Sequence, residues 1–255
     1  MSDSVRFETD EEIAIVTIDR PQLRNAINRA TAAMLAASFR RFDEDANLKV
    51  AILTGSGSTF CAGFDLKGLA LGEGNIVNPQ GDGPLGCTRM LLSKPVIAAI
   101  EGYAVAGGFE LALWCDLRVA ARNAVLGVFN RRFGVPLVDG GTVRLARLIG
   151  MSRALDLILT GRPISGEDAF RIGLVNRLHE PGRALAAAKE LAKGLAALPQ
   201  RCLRSDRMAV YECFGLPLPQ ALATEYQHGI KTIESGESLA GARRFAAGEG
   251  RHGKF

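Results

Sequence analysis

Two short apolar runs, each followed by a glycine-containing turn, organise the hydrophobic pattern of this chain. The first is Lys49 to Thr54, which leads into GSGSTFCAG, and the second is Pro95 to Ile100, which leads into EGYAVAGG. Continuous apolar runs of this length predict buried strands. After the second turn, Phe109 to Cys115 predicts an apolar helix that contains one carboxylate, Glu110. The second run therefore predicts a strand, a tight turn and a helix in succession.

The chain after residue 184 is predicted to be almost wholly helical. Four amphipathic segments carry this prediction, at residues 184–197, 199–214, 219–234 and 238–247. Near the start, Val5 to Phe7 and Ile13 to Ile18 predict two strands, and Thr31 is predicted to cap the helix that follows. We therefore expect a core over residues 1–183 and a helical region over residues 184–255.

The two glycine turns together have the composition of an anion-stabilising site. Gly63 allows a tight turn that would point the N–H of Phe64 outward, and Gly107 stands at the predicted start of a helix. A helix N-terminus offers unpaired N–H groups and the positive end of a dipole. Glu110 follows Gly107 by one turn and would share its face of the helix. The alternative is an ordinary packing turn with one solvated glutamate.

The sequences FCAGFDLK and KPVIAAIEGYAVAGGFELALWCD, in this order and spacing, resemble the enoyl-CoA hydratase/isomerase family, also called the crotonase family. The resemblance extends over nearly the whole chain. It implies an α/β fold, a crotonase-like superhelix of strand–strand–helix turns with a C-terminal helical region. It also implies an acyl-CoA thioester substrate, homotrimers or hexamers made of two trimers, and no cofactor beyond the coenzyme A of the substrate.

The resemblance assigns roles to individual residues of the two turns. The N–H groups of Phe64 and Gly107 fall at the positions of the oxyanion hole, and Glu110 falls at the position of the first hydratase glutamate. The position of the second hydratase glutamate holds Asn130, which is a departure from the family. An asparagine amide cannot give up and regain a proton as a carboxylic acid does.

Asp139, three residues before Thr142, is a candidate to replace the missing acid. Its spacing resembles the dienoyl-CoA isomerases, in which an aspartate at this place helps to move a proton. The alternative is that Asp139 caps the helix predicted to begin near Thr142. Arg131 and Arg132 would point in different directions on a strand. One of them would recognise an acidic acyl group, or both would be structural or lie at a subunit contact.

The family resemblance also predicts the contacts to coenzyme A. These fall on two segments near the glycine turns and on one aromatic residue of the last helix: Arg24, Ala26, Ala62, Asp65, Leu66, Lys67 and Phe245. Phe245 stands where the family covers the coenzyme of a neighbouring subunit. Gly248 departs from the pattern, because a lysine is usual there.

Composition excludes several other classes of function. The net charge of +4 comes from scattered basic residues, which argues against nucleic acid as a partner. No apolar run reaches the ~20 residues that span a bilayer. The N-terminal sequence is acidic and lacks the apolar core of a signal peptide, so we expect a cytoplasmic protein. The five cysteines form no C-x-x-C pair, no metal-ligand spacing is present, and Cys61 is expected to be a packing residue.

The sequence thus predicts an acyl-CoA enzyme, an enoyl-CoA hydratase or an enoyl/dienoyl-CoA isomerase. Its intermediate would be a thioester enolate held in an oxyanion hole. Two alternatives stay open because of Asn130: an acyl-CoA hydrolase on the same scaffold, and a non-catalytic acyl-CoA-binding protein.

Overall fold

The computed structural model describes residues 4–250 of the chain. Its strands are β1 Val5–Asp10, β2 Ile13–Ile18, β3 Val50–Gly55, β4 Val96–Ile100, β5 Tyr103–Val105, β6 Leu117–Ala121, β7 Val125–Gly127, β8 Ile164–Ser165 and β9 Arg177–His179. Its α-helices are α1 Arg29–Glu44, α2 Leu66–Ala70, α3 Gly107–Trp114, α4 Gly141–Ile149, α5 Met151–Thr160, α6 Gly166–Arg171, α7 Ala184–Ala197, α8 Gln200–Cys213, α9 Leu218–Glu234 and α10 Glu237–Ala246. Two short 3-10 helices lie at Pro21–Leu23 and Phe129–Phe133.

The main sheet has six strands in the order β1-β2-β3-β4-β6-β9. The β1–β2 pair is antiparallel and every other neighbouring pair is parallel. Strands β2 and β4 are buried along their whole length, as expected for continuously apolar strands that are covered on both faces. The two apolar runs that the sequence marks as strands are therefore β3 and β4, and they lie side by side.

A second, smaller sheet has the order β5-β7-β8. Two isolated parallel bridges, Ile27 with Phe64 and Cys61 with Ala104, form further pairings beside it. Successive chain segments thus pass from the main sheet to a second layer and then into a helix, as in β4-β5-α3. This repeated strand–strand–helix order is the architecture that the sequence predicts.

The chain divides into two compact units, of which the first ends at Leu195 and the second begins at Ala196. The predicted boundary after residue 183 lies at the start of α7, which runs across this division. The second unit contains α8, α9 and α10, with α8 packed chiefly against α9. The four predicted helices of the C-terminal region are confirmed as α7 to α10, with ends shifted by at most one residue.

Two local predictions are wrong. Helix α1 is capped by Asn28, whose side chain accepts a hydrogen bond from the Thr31 N–H at 3.0 Å, and Thr31 itself lies inside the first turn. Residues 129–133 form a 3-10 helix rather than a strand, which Gly134 ends with a positive φ of 69°. In residues 4–250, no helix is long and apolar enough to cross a membrane.

Candidate active site

The two glycine turns lie against each other. A methyl group placed on Gly63 would lie 2.6 Å from the amide nitrogen of Gly107, and the α-carbon of Gly107 would be only 3.3 Å from it. Gly63 also has a φ of +92°, which L-residues with a side chain rarely adopt. Glycine at residue 63 therefore allows the backbones of the two turns to approach each other closely.

The second layer of strands produces this approach. The Cys61 N–H donates to the Tyr103 carbonyl at 2.9 Å, and the Val105 N–H donates to the Cys61 carbonyl at 3.1 Å. This parallel bridge aligns the two segments of the chain just before each glycine turn. Cys61 is fully buried beneath the turn, and its Sγ accepts a hydrogen bond from the Gly63 N–H at 3.3 Å. Burial raises the pKa of Cys61 to about 12, so its thiol stays protonated and serves packing.

The N–H groups of Phe64 and Gly107 are the two predicted oxyanion donors. Within the described residues, neither of them donates to a protein acceptor. The Ile27–Phe64 bridge uses the N–H groups of Ile27 and Asp65, which leaves the Phe64 N–H out of the ladder. Ala106, which precedes Gly107, has φ +54° and ψ −126°. Such a conformation costs about 1–3 kcal/mol for a non-glycine residue and turns the next amide away from the strand.

Glu110 lies in the first turn of α3 and is only 1% exposed. Its Oε1 accepts two hydrogen bonds, from the Asp139 N–H at 2.9 Å and from the Gly141 N–H at 2.9 Å. Burial raises the pKa of Glu110 to about 7, and the charge of Asp139 adds to the rise while the two N–H groups oppose it. Its Oε2 makes no hydrogen bond to a described residue. A buried carboxyl that titrates near neutrality is suited to general acid–base catalysis.

Asp139 is also buried, at 1% exposure, and it does not cap α4. The cap position is Gly140, which makes no side-chain hydrogen bond to the helix. The Asp139 Oδ1 instead accepts from the Leu85 N–H at 3.0 Å and from the Thr88 hydroxyl. Burial raises the pKa of Asp139, against the opposing effect of these two donors. The predicted alternative that Asp139 is a helix cap is therefore wrong.

Asn130 lies in the 3-10 helix that follows β7. Its side-chain nitrogen donates to the Val135 carbonyl at 2.8 Å, which fixes the orientation of the amide. The amide oxygen Oδ1 is buried and has no hydrogen-bond partner among the described residues. Asn130 is thus an acceptor that lacks a donor, and buried acceptors of this kind usually mark a water, a ligand or a functional role.

The predicted coenzyme segments come together at one edge of the first unit. The Ala62 N–H donates to the Arg24 carbonyl at 3.1 Å, and the Ile27 N–H donates to the Gly63 carbonyl at 2.8 Å. These bonds place residues 24–27 beside residues 62–67. The side chains of Arg24 and Lys67 are exposed, and neither forms an ion pair with a described residue. Both cations are therefore available to an anionic ligand.

The other predicted coenzyme contacts differ in exposure. Leu66 is exposed, whereas Ala26 is buried and its carbonyl accepts from the Arg20 guanidinium. Asp65 caps α2 and pairs with Arg20 at 3.1 Å. Burial alone would raise the pKa of Asp65, but the Gly68 N–H and the Arg20 guanidinium bring it below its usual value. Phe245 is an exposed residue of α10, in the second unit.

Three residues near the carboxyl groups carry no signal that the sequence alone would reveal. Leu85 is fully buried, and its side chain would lie 3.0 Å from a methyl group on Gly107. Thr88 is fully buried beside Asp139. Arg144 donates to the Asp139 carbonyl at 2.8 Å and to the Thr88 carbonyl at 2.6 Å. Only the fold brings these residues to the site, because they come from a loop and from helix α4.

Comparison with known proteins identifies the family. A family model described as enoyl-CoA hydratase/isomerase matches residues 8–253. The carnitinyl-CoA dehydratase of Salmonella arizonae is 40% identical over 256 residues, covering 96% of each chain. The enoyl-CoA hydratase EchA19 of Mycobacterium tuberculosis is 35% identical over 243 residues, covering 91% of this chain and 89% of the relative. The crystal structure of the enoyl-CoA hydratase EchA1 from Mycobacterium marinum matches with a TM-score of 0.91 and 40% identity, covering 96% of each chain.

The chain belongs to the enoyl-CoA hydratase/isomerase family. It is an enzyme of the crotonase family and has that family's fold. The matched residues include the two glycine turns, the carboxyl groups of Glu110 and Asp139, and the C-terminal helices. The relatives named above are hydratases and a dehydratase, so the alternatives of an acyl-CoA hydrolase and of a non-catalytic binding protein are not favoured.

Arg131 and Arg132 take structural positions in this family member, and the prediction that they alternate on a strand is wrong. Arg131 donates to the Ile158 carbonyl at 3.3 Å, and Arg132 donates to the Gly161 carbonyl at 2.9 Å. The guanidinium of Arg132 also stacks on the ring of Phe129, 3.9 Å from its centre. Both arginines therefore attach the 3-10 helix to the C-terminal end of α5.

Proposed function

We propose that the enzyme catalyses the reversible addition of water to the α,β double bond of an enoyl-CoA thioester. The observation that carries the proposal is the position of Glu110, a buried carboxyl that titrates near neutrality, one helical turn after Gly107. A base and an oxyanion donor are thereby presented by the same turn of α3. The hydratases and the dehydratase among its relatives support a reaction that adds or removes water, since dehydration is the reverse of hydration.

The proposed reaction needs only the residues of the two turns and the substrate water. The thioester carbonyl oxygen accepts hydrogen bonds from the Phe64 and Gly107 N–H groups. Ionised Glu110 takes a proton from water while the water oxygen bonds to the β-carbon, and the double-bond electrons move to form the thioester enolate. Protonated Glu110 then returns that proton to the α-carbon. Each donor to an enolate oxygen is worth about 3–4 kcal/mol in comparable sites.

Asn130 and Asp139 have supporting roles in this proposal. Asn130 presents an unpartnered oxygen, which would accept a hydrogen bond from the attacking water and orient it. Asp139 holds Glu110 through its backbone N–H, and its charge adds to the raised pKa of Glu110. The reaction as written uses no separate cofactor, because coenzyme A enters as part of the substrate.

Double-bond isomerisation is the second candidate, and one observation favours it. Asn130 cannot act as an acid, whereas Asp139 is a second buried carboxyl with a raised pKa next to Glu110. In this reaction one carboxylate removes a proton from the acyl chain and the other carboxylic acid returns a proton at a different carbon. The composition of the substrate does not change.

Incubation with a panel of enoyl-CoA and dienoyl-CoA esters separates the two candidates. Hydration adds the mass of one water and removes the ultraviolet absorbance of the conjugated thioester. Isomerisation changes the absorbance at constant mass. If no member of the panel is converted by the purified enzyme, both candidates fail.

We also propose that the enzyme forms trimers, or hexamers of two trimers, through its C-terminal helices. Phe245 would then cover the coenzyme bound by a neighbouring subunit, which its exposed position on α10 permits. Analytical ultracentrifugation at micromolar concentration tests the assembly, and a monomer would contradict it. A cytoplasmic location remains a prediction from the sequence.

A further inference from the structure

The two oxygens of the Asp139 carboxyl have different surroundings. Oδ1 accepts two hydrogen bonds, one from the Leu85 N–H at 3.0 Å and one from the Thr88 hydroxyl. Oδ2 is buried as well, and it has no hydrogen-bond partner among the described residues. Hydrogen bonds to a carboxylate oxygen stabilise negative charge on that oxygen. The asymmetry therefore places the charge on Oδ1 and the proton of the neutral acid on Oδ2.

Thr88 is held in this position from both ends. Its carbonyl accepts from Arg144 at 2.6 Å, and the same guanidinium donates to the Asp139 carbonyl at 2.8 Å. A methyl group on Gly83 would lie 2.3 Å from the Thr88 hydroxyl oxygen, so the backbone of residue 83 closes over it. The hydroxyl therefore has little freedom to turn away from Asp139.

The same network reaches the catalytic glutamate. The Asp139 N–H donates to the Glu110 Oε1 at 2.9 Å, and Leu85 packs against Gly107. A shift of the Asp139 side chain or of its backbone would therefore move Glu110 and the glycine turn that contains Gly107. Thr88 touches none of the proposed reacting atoms, so any effect it has on the reaction must act through Asp139.

We propose that Thr88 is a positioning residue, whose hydroxyl fixes the rotamer of Asp139 and reserves Oδ2 as the oxygen that carries the exchangeable proton. This inference rests on the proposed function, in which Asp139 supports Glu110 during hydration and is the second acid–base group in the isomerisation candidate. It adds a residue that neither the motifs nor the comparisons assign.

The test compares three variants. Thr88→Val removes the hydroxyl at nearly constant shape, and Thr88→Ser keeps it. Thr54→Val is the matched control, because Thr54 is buried and its hydroxyl donates to the Ala99 carbonyl at 3.1 Å, within the main sheet. Turnover and KM are measured against pH with the substrate found in the panel. In parallel, the carboxyl of Asp139 is titrated by carbon NMR with labelled aspartate, and the Asp139→Asn variant assigns its signal.

We expect Thr88→Val to lower turnover by about 10-fold or more with little change in KM, because misplaced catalytic groups cost rate rather than binding. Losing a donor to Oδ1 should shift the titration of Asp139 to higher pH, since that hydrogen bond favours the ionised form. Thr88→Ser should restore most of the turnover and the titration. Thr54→Val should leave both unchanged.

An unchanged pH profile and an unchanged Asp139 titration in Thr88→Val would overturn the inference. If that variant does not fold, Thr88→Cys, whose thiol is a weak donor, takes its place with the same expectations. The titration requires no substrate. If the unaltered enzyme converts nothing, the proposed function fails and the titration still decides the role of Thr88.

Discussion

Gly63 and Gly107 are so close that a methyl group on Gly63 would lie 2.6 Å from the Gly107 amide nitrogen and 3.0 Å from the Ala106 methyl. The two residues are 44 positions apart in the chain. One proposed oxyanion donor, the Gly107 N–H, lies in this contact, and the other, the Phe64 N–H, belongs to the residue that follows Gly63. The separation of the donors therefore depends on the absence of a side chain at residue 63.

Replacement of Gly63 by alanine should impair the enzyme in two ways. The positive φ of residue 63 would be strained, at a cost of about 1–3 kcal/mol in the free energy of unfolding, and the methyl group would push the two turns apart. Gly57→Ala provides the control, because the φ of Gly57 is also positive but a methyl group added there would come no closer than 3.5 Å to another residue, at the Pro21 Cβ. We expect turnover to fall in Gly63→Ala alone. Equal turnover in the two variants would show that the contact does not set the donor geometry.

Glu110→Gln should lower turnover by ~10²-fold or more while acyl-CoA binding changes little. A glutamine oxygen still accepts from the Asp139 and Gly141 N–H groups, but the amide cannot take up and return a proton. Steady-state kinetics on the assigned substrate and calorimetry with the product provide the measurements. A variant that retains its rate would remove Glu110 from the mechanism.

The free energy of unfolding of the enzyme should fall between about pH 4.5 and pH 7 because of Glu110. The folded state raises the pKa of Glu110 to about 7 from an ordinary value of 4.5, so the folded state binds the proton more tightly than the unfolded state. The contribution of Glu110 to the free energy of unfolding is fully present below pH 4.5 and is lost as the pH rises through 7. The full loss is roughly 3 kcal/mol, from the difference between the ordinary pKa of 4.5 and the folded-state pKa of about 7.

Urea denaturation of the enzyme and of Glu110→Gln at several pH values measures this effect. The glutamine variant should gain stability relative to the unaltered enzyme as the pH rises from 5 to 8. A difference between the two proteins that is constant over this range would contradict the raised pKa.

Asp139→Asn should separate a role in proton chemistry from a purely structural one. The asparagine oxygen can still accept from Leu85 and Thr88, and no helix cap is lost because Gly140 occupies that position. Removal of the negative charge should lower the pKa of Glu110, so the acidic limb of the rate profile should move to lower pH. If Asp139 returns a proton to the substrate, isomerisation should fall more than hydration. Identical profiles for variant and parent would leave Asp139 without a part in the reaction.

Coenzyme A or an acyl-CoA should stabilise the folded enzyme. A ligand that binds only the native state, at ~100 times its dissociation constant, adds about 2.7 kcal/mol to the free energy of unfolding, which corresponds to a shift of several degrees in a thermal scan. Arg24→Ala and Lys67→Ala should weaken the shift, because both exposed cations lie at the proposed coenzyme edge. Lys193→Ala, an exposed lysine of α7, should not. A saturating acyl-CoA that leaves the melting temperature unchanged would contradict the proposed site.

The sequence alone predicted several of the main elements, although it missed the short strand β5 inside the second glycine turn. Continuous apolar runs marked β3 and β4, helical periodicity marked α7 to α10 to within one residue, and the two glycine turns pointed to Phe64 and Gly107. These features are local, because a strand, a helix or a turn depends mainly on residues close together in the chain. The family resemblance rested on the same local motifs.

Only the tertiary structure decided how the carboxyl groups are held. The hydrogen-bond donors to Glu110 lie 29 and 31 positions further along the chain, at Asp139 and Gly141. The donors to the Asp139 side chain lie 51 and 54 positions earlier in the chain, at Thr88 and Leu85. No local pattern records such contacts, so the sequence left Asp139 undecided between an acid and a helix cap. The chain folds Leu85, Thr88 and Arg144 around Asp139, and burial by the fold raises the pKa values of both carboxyl groups, because a buried charge loses its hydration.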